Sequence, residues 1–196
     1  MLKNKLDFKQ RPLSWSQLSS FQYDPKEWYR RYILNEKQTE SQEMIFGKQL
    51  AKSIEDGKPL VPVTLLSKVE HKFNVVFNGI PLIGYADTFD HLTFKSLGEY
   101  KSSKTLWTQK RVDEHKQLDM YCLMNFITNK IRPEDMNIFL ECVQTEMNGD
   151  FSISFVKPIK VHHFKTKRTM QDILRFGQMI NSTVKDMQEY CNSVDN

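Results

Sequence analysis

Two stretches of alternating apolar and polar residues follow one another in the middle of the chain. Apolar side chains and one histidine occupy every second position of residues 68–77, and the alternation resumes from Ile80 to Phe89. A period of two is typical of a β-strand with one buried face. The Asn78–Gly79 pair between them is a strong signal for a two-residue hairpin turn. The pattern therefore predicts two antiparallel strands, and a third strand returns along residues 94–102.

Capping signals and helical spacing predict helices on both sides of these strands. Ser14 stands three residues before Gln17, which is a capping-box spacing, and Asp24–Pro25 reads as an N-cap followed by proline at the first helical position. Longer helices are predicted at residues 44–56, 109–128 and 169–190. Residues 136–144 are predicted to form a strand that a helical crossover makes parallel to the third one.

This order of elements predicts an α/β fold with a mixed central sheet flanked by helices. The chain has 196 residues, which suits one domain with a single core. We therefore interpret residues 1–196 as a single domain. Its core is predicted at residues 13–145, and residues 146–196 are predicted to add a C-terminal strand and helix.

Composition narrows the classes of function. Hydrophobic residues make up 39% of the chain and charged residues 27%, as in ordinary globular proteins, and the net charge of +4 is compatible with a polyanionic partner. No apolar run is long enough for a membrane span or a signal peptide, so we predict a cytoplasmic protein with no membrane association. The three cysteines stand far apart, in no spacing typical of a disulfide framework or a metal site.

Three charged residues lie among apolar neighbours in the second and third strands. The alternation places Asp87 on the same face as Phe89, and Glu99 and Lys101 on the same face as Leu97. A buried carboxylate is costly unless it has a partner, and two carboxylates beside a lysine can share a divalent cation and a proton. Taken singly, each residue could instead belong to a turn or to a salt bridge on a solvated face.

The spacing of these charges matches a known pattern. The chain has the pattern Gly84-x-x-Asp87, and the pattern Glu99-x-Lys101 begins twelve residues after Asp87. Together they resemble motifs two and three of the PD-(D/E)XK nuclease superfamily. The resemblance implies a restriction-endonuclease-like core.

Two further segments resemble the RecB-type branch of that superfamily. Residues 13–33 are similar to its N-terminal signature, and Gln117-x-x-x-Tyr121 resembles the glutamine–tyrosine motif that follows the Glu-x-Lys strand. Many relatives begin an iron–sulfur cluster with a cysteine where this chain has Asp24, and the C-terminal cysteines of that cluster are missing too. We therefore expect no iron–sulfur cluster.

Motif one of the family is incomplete in this chain. Gly47 matches its glycine and Glu55 its acid, but Ala51 stands where the family has a metal-binding histidine. Glu55 lies one helical turn after Ala51, on the same face, so it could still point into the site. An exposed acid near a helix end is an equally good interpretation of Glu55.

The resemblance implies a Mg²⁺- or Mn²⁺-dependent deoxyribonuclease that hydrolyses phosphodiester bonds in DNA, expected to be an exonuclease in DNA repair or recombination. A helicase or recombinase partner is compatible with it. The residues that it assigns to catalysis are Asp87, Glu99, Lys101 and Gln117, with Tyr121 positioning the DNA strand. The metal ligands that it implies are Asp87, Glu99, the carbonyl of Tyr100, and Glu55.

A basic loop follows the Glu-x-Lys strand. Lys104, Lys110 and Arg111 lie near Trp107, and cations beside an aromatic ring can hold phosphates and stack on a base. A solvated loop is the simpler interpretation of each residue alone. The alternative for the whole chain is a catalytically degenerate nucleic-acid-binding module of the same fold, which Ala51 suggests.

Overall fold

The computed structural model describes residues 6, 8 and 11–194 of the chain. The remaining ten positions, which belong to the two ends of the predicted domain, lie outside the described residues. Within the described part, the central sheet contains six strands: β1 (Lys68–Phe77), β2 (Ile80–Phe89), β3 (Ser96–Ser103), β4 (Asn137–Met147), β5 (Ile153–Phe155) and β6 (Val161–Thr166).

The first two helices begin where the capping signals predict. Ser14 caps the first helix by accepting a hydrogen bond from the Gln17 amide, and Asp24 caps the second by accepting from two backbone amides. The described helices are α1 (Trp15–Tyr23), α2 (Pro25–Tyr32), α3 (Gln42–Glu55), α4 (Gln109–Asp113), α5 (Lys116–Asn129) and α6 (Met170–Val194). None of them is long and apolar enough to cross a membrane.

The sheet is mixed, as predicted. β1 pairs antiparallel with β2, and β2 pairs antiparallel with β3. β3 pairs parallel with β4 over eight residue pairs. β6 pairs antiparallel with β4, and the short β5 pairs with the last residues of β4. The predicted α/β fold with a mixed sheet flanked by helices is therefore confirmed.

The helices cover both faces of the sheet unequally. One face carries the main core, to which α5, α6, α1 and α2 contribute fully buried side chains such as Leu18, Trp28, Leu118 and Ile180. The other face carries α3 and a smaller apolar cluster. The space between α3 and the sheet therefore lies away from the main core.

The strands β2 and β3 pair for only a short distance. Thr88 and Phe89 of β2 pair with β3, whereas β1 pairs with β2 along its whole length. Further toward the start of β2, the backbone of Leu13 takes the place of β3 and exchanges two hydrogen bonds with Pro81 and Ile83. The sheet is consequently split between β2 and β3, and α1 begins directly beside the split.

The single helix predicted for residues 109–128 is interrupted, and this prediction was wrong. α4 ends at Asp113 and α5 begins at Lys116. The guanidinium of Arg168, which is 3% exposed, donates to the carbonyl oxygens of Val112 and His115 on either side of the break. It also forms a buried ion pair with Asp119. The same two carbonyl oxygens also accept from the backbone amides of His115 and Leu118, so Arg168 adds a second donor to each of them and ties the break to the start of α6.

We expect the substitution Arg168→Ala to lower the free energy of unfolding by roughly 3 kcal/mol, because it removes one partner of a buried ion pair. The value lies at the low end of the usual range because Lys116 still pairs with Asp119 at 2.9 Å. Urea unfolding monitored by circular dichroism measures the change. The control is Arg175→Ala, which breaks an ion pair of Asp172 whose arginine is 63% exposed. A loss below about 1 kcal/mol for Arg168→Ala, the value of a surface ion pair, would contradict the prediction.

Candidate active site

Asp87, Glu99 and Lys101 meet at the split in the sheet. The amide of Tyr100 donates to the carboxylate of Asp87 at 2.6 Å. The ammonium of Lys101 contacts Glu99 at 2.5 Å, and these two side chains are 27% and 3% exposed. The structure therefore brings together the three charged residues that motifs two and three single out.

The face of β2 that carries Asp87 differs from the prediction. Ala86 and Phe89 both lie in the main core although they are three residues apart, so the strict alternation is interrupted between them. Asp87 lines a cavity against α3, and the prediction that it shares a face with Phe89 was wrong. The interruption lies where β2 and β3 separate. At this point the Tyr100 amide of β3 donates to the side chain of Asp87.

A chain of hydrogen bonds holds Lys101 from the side of α5. The amide oxygen of Gln117 accepts from Lys101 at 3.1 Å and from the His115 imidazole at 3.3 Å. The amide nitrogen of Gln117 donates to the Tyr121 hydroxyl at 2.6 Å, and that hydroxyl donates to the carbonyl of Tyr85. Gln117 thus has a fixed orientation toward Lys101.

The charged groups at the split shift one another's pKa values. Burial and the neighbouring charge of Glu99 raise the pKa of Asp87 well above its ordinary value, although Lys101 and the Tyr100 amide act in the opposite direction. Burial alone would lower the pKa of Lys101, but the carboxylates of Glu99 and Asp87 outweigh it and raise that pKa. The lysine is therefore cationic at neutral pH, and Asp87 holds a proton more tightly than an ordinary aspartate does.

One oxygen at the split has no hydrogen-bond partner in the part of the chain that the structure describes. This oxygen is Oε2 of Glu99, which is buried, whereas Oε1 contacts Lys101. A buried carboxylate oxygen without a partner costs free energy, and a cation is a partner that carboxylate oxygens accept. Among the described residues, no three His, Cys, Asp or Glu side chains already stand together as a metal site. The pair Asp87 and Glu99 fits a divalent cation in its chemistry, with the Tyr100 carbonyl as a predicted further ligand.

Glu70 is a site residue that the sequence interpretation missed. It lines the same cavity as Asp87 and Lys101, and its backbone has a φ of 50°, which non-glycine residues seldom adopt. Burial and the charges of Glu55 and Glu99 raise its pKa. The Asn78–Gly79 turn could have revealed it, because the hairpin register around that turn places residue 70 opposite residue 87.

The cavity beside Asp87 lies where motif one was expected. Its volume is about 190 Å³, and Gly47 and Ala51 of α3 form one wall. Ile54 lines it, but Glu55 does not. The Glu55 carboxylate is 56% exposed and lies 3.7 Å from the ammonium of Lys52. The structure therefore places Glu55 at the surface, while Ala51 faces the cavity.

The residues predicted to bind nucleic acid are divided between the core and the surface. Tyr121 and Trp107 are 2% and 7% exposed, so both rings are packing residues in this structure. Arg111 lies over the Trp107 ring at 4.0 Å. Lys104 pairs with Glu43, and Lys110 lies 4.0 Å from Glu114. These cations are exposed, but the aromatic ring expected to accompany them is not.

His115 is a second residue that the sequence interpretation left out of the site. Burial and the positive charge of Lys101 lower its pKa to about 4, against the hydrogen bond to Gln117, so the ring is neutral at physiological pH. It packs edge to face against Trp107 and Trp15. Its sequence position, two residues before Gln117, carried no signal, because the pattern predicted a continuous helix there and His115 instead lies in the break between α4 and α5.

An open groove leads from Lys101 along α1. Its volume is about 660 Å³. The residues that line it are Trp15, Ser16, Ser19, Ser20, Tyr23, Arg31, Lys101, His115 and Gln117. The groove and the cavity beside Asp87 share Lys101, so the lysine stands between a polar channel open to solvent and the carboxylates.

Comparison with solved structures finds this fold in a presumed exonuclease from Eubacterium rectale. The TM-score is 0.56 at 8% sequence identity, over 94% of this chain and 83% of that one. A phage-related exonuclease from Haemophilus somnus 129PT gives a TM-score of 0.44 at 11% identity, over 86% of this chain and 79% of that one. LHK-Exo in complex with dAMP gives a TM-score of 0.44 at 12% sequence identity, over 93% of this chain and 91% of that one. No protein-family model and no curated protein matches the sequence. The first of these structures shows that the two chains share a fold.

Proposed function

We propose that this chain is a metal-dependent DNA nuclease of the PD-(D/E)XK type, close to its RecB branch. The observation that carries the proposal is the buried oxygen of Glu99 that has no partner, beside the raised pKa of Asp87 and the cationic Lys101. Such a site gains free energy by taking up a cation and placing an anionic substrate next to the lysine. The motif spacing in the sequence supports the same chemistry.

Each side chain has a distinct role in this proposal. Asp87 and Glu99 would hold Mg²⁺ or Mn²⁺, and the bound metal would supply acidification of a water and neutralisation of phosphate charge. Lys101 donates hydrogen bonds to the attacking water and to the phosphate, because its raised pKa favours the charged form over a general base. Gln117 keeps the ammonium pointed at the reacting group.

We propose that the enzyme is an exonuclease that acts in DNA repair or recombination. The fold that it shares with the presumed exonuclease from Eubacterium rectale supports degradation from an end, by analogy of fold alone. A helicase or recombinase that delivers DNA ends is the kind of partner that such a role implies.

A second candidate function is a nucleic-acid-binding module of the same fold without catalysis. Ala51 in the wall of the cavity favours it, because this position lacks a side chain that can bind a metal. The intact Asp87, Glu99 and Lys101 favour the nuclease, since a scaffold that no longer catalyses gains nothing from a costly buried charge.

The decisive experiment incubates the purified chain with labelled linear single-stranded, linear duplex and circular DNA, in Mg²⁺, in Mn²⁺ and in chelator. Metal-dependent loss of the linear substrates alone establishes an exonuclease. Cleavage of circles makes the enzyme an endonuclease. DNA binding without cleavage in any metal rejects the nuclease and leaves the binding module.

Glu70 supports the cation in this proposal, and its removal should show in metal affinity. We expect Glu70→Gln to weaken Mn²⁺ binding by about 10- to 100-fold, the range for loss of a group that supports a metal ligand. Isothermal titration calorimetry with Mn²⁺ measures the change. Glu55→Gln is the matched control, because its carboxylate is 56% exposed and does not line the cavity. A larger loss with Glu55→Gln than with Glu70→Gln would return the role to Glu55.

A further inference from the structure

The groove along α1 has the charge of a site for a polyanion. The described residues that line it include two cations, Arg31 and Lys101, and no carboxylate. Lys101, which pairs with Glu99, lines the groove together with three serines of α1. A phosphate backbone that follows the groove therefore arrives at the lysine without meeting an acid on the way.

Arg31 and its neighbour on α2 differ in the partners that they have. Arg30 forms ion pairs with Glu27 and Glu36. Arg31 lies over the Tyr32 ring at 4.9 Å and pairs with no carboxylate among residues 6, 8 and 11–194. Arg31 thus keeps its hydrogen-bond donors for a ligand, whereas Arg30 has already used its own for the protein.

Tyr23, at the end of α1, contributes an aromatic ring that the fold does not need. It is 93% exposed, although it follows the buried Phe21 by only two residues. Aromatic rings on a basic groove hold nucleic acid by stacking on bases, and every base has a face to offer. Inside a duplex both faces of a base are already stacked and a blunt end offers only one face of its last base pair, whereas every base of a single strand can be unstacked to meet this ring.

We propose that the groove binds single-stranded DNA, with Tyr23 stacked on a base and Arg31 on a backbone phosphate, and guides it to Lys101. The inference rests on the proposed function for the identity of the polymer and for the direction toward the lysine. Single strands fit because stacking needs a free base face and because the groove is open along one side. The enzyme consequently binds single strands and unpaired ends in preference to blunt duplex.

Fluorescence anisotropy in chelator tests binding apart from cleavage. The probes are a labelled oligothymidylate and a blunt duplex of the same length. We expect Tyr23→Ala to weaken oligothymidylate binding by about 5- to 150-fold, and Tyr23→Phe to bind like the wild type, because the ring and not the hydroxyl does the stacking. Arg31→Ala should lower the slope of log K against log salt by about 0.7, the loss of one phosphate contact on a single strand. Arg30→Ala should leave that slope unchanged.

Two results would overturn the inference. One is wild-type affinity for oligothymidylate in Tyr23→Ala; the other is blunt duplex bound as tightly as the single strand. These results are separate from failure of the proposed function. Tyr23-dependent binding without cleavage in any metal rejects the nuclease and keeps the groove, whereas cleavage with no effect of Tyr23→Ala keeps the nuclease and rejects the groove.

Discussion

The substitution Lys101→Ala will lower the rate of DNA cleavage by about 10²- to 10⁴-fold while DNA affinity changes far less. A positioned group that orients water and stabilises charge in the transition state contributes about this much. The structure supports the role because Lys101 is held by Glu99 and Gln117 between the groove and the carboxylates. Single-turnover cleavage of linear DNA in Mg²⁺, together with anisotropy in chelator, separates the two effects.

The matched control for this variant is Lys185→Ala. Lys185 lies on α6, is 75% exposed and lies 3.6 Å from Glu189, so its loss removes a similar charge without touching the site. Because Lys101→Ala also leaves Glu99 buried without its cationic partner, thermal unfolding must show that the variant is folded at the assay temperature. Equal losses of binding and cleavage would count against the role given to Lys101.

The substitution Asp87→Asn will abolish metal-dependent cleavage and make the metal-free protein more stable at neutral pH. The pKa of Asp87 in the folded protein lies well above its ordinary value of 3.8, so the folded state binds a proton more tightly than the unfolded chain. The free energy of unfolding therefore falls as the pH rises from about 3.8 through the raised pKa. Asparagine removes that penalty, and its side-chain oxygen can still accept from the Tyr100 amide.

Thermal unfolding in chelator and in Mn²⁺, across a range of pH, measures both consequences. In chelator at neutral pH the variant should have the higher Tm, with roughly 2–4 °C for each 1 kcal/mol gained in a chain of this length. In Mn²⁺ only the wild type should gain stability, by about 2.7 kcal/mol when the metal stands at 100 times its Kd. Asp186→Asn, on the exposed side of α6, is the control. A variant that is less stable than the wild type in chelator would refute the argument.

The fold was predictable because short-range signals carry most of it. Asn78–Gly79 fixes the first hairpin, Ser14 and Asp24 fix two helix starts, and the helical crossover fixes the parallel pairing of β3 with β4. Each of these signals lies within a few residues of the feature that it determines. Alternation and capping therefore gave the element order and the mixed sheet.

The parts that were not predictable depend on side chains from distant parts of the chain. Two carbonyls at the break between α4 and α5 accept hydrogen bonds from the guanidinium of Arg168, more than fifty residues further on. The split between β2 and β3 needs Leu13 on one side and the Asp87–Tyr100 hydrogen bond on the other. Neither the break in the helix nor the split in the sheet changes the spacing of apolar residues, so the sequence indicated a continuous helix and a regular sheet.

The candidate site was predictable in its charged centre and less so around it. The resemblance to the motifs of a known nuclease family identified Asp87, Glu99, Lys101 and Gln117, which the structure brings together. Glu70 escaped because a left-handed backbone turns it out of the alternation, although the hairpin register could have located it. The burial of Trp107 escaped because a basic loop gives no hint that its aromatic ring packs inward.

The contacts of Arg168 also have a place in the order in which the molecule is completed during synthesis. The guanidinium of Arg168 reaches Asp119 of α5 and the carbonyls of Val112 and His115, all of which lie more than forty residues earlier in the chain. The ribosome releases these earlier residues, together with Lys101 and Gln117, before it releases Arg168. The buried ion pair that ties the start of α6 to α5 is therefore a late contact of the nascent chain, formed after the strands β1 to β6 have all been made.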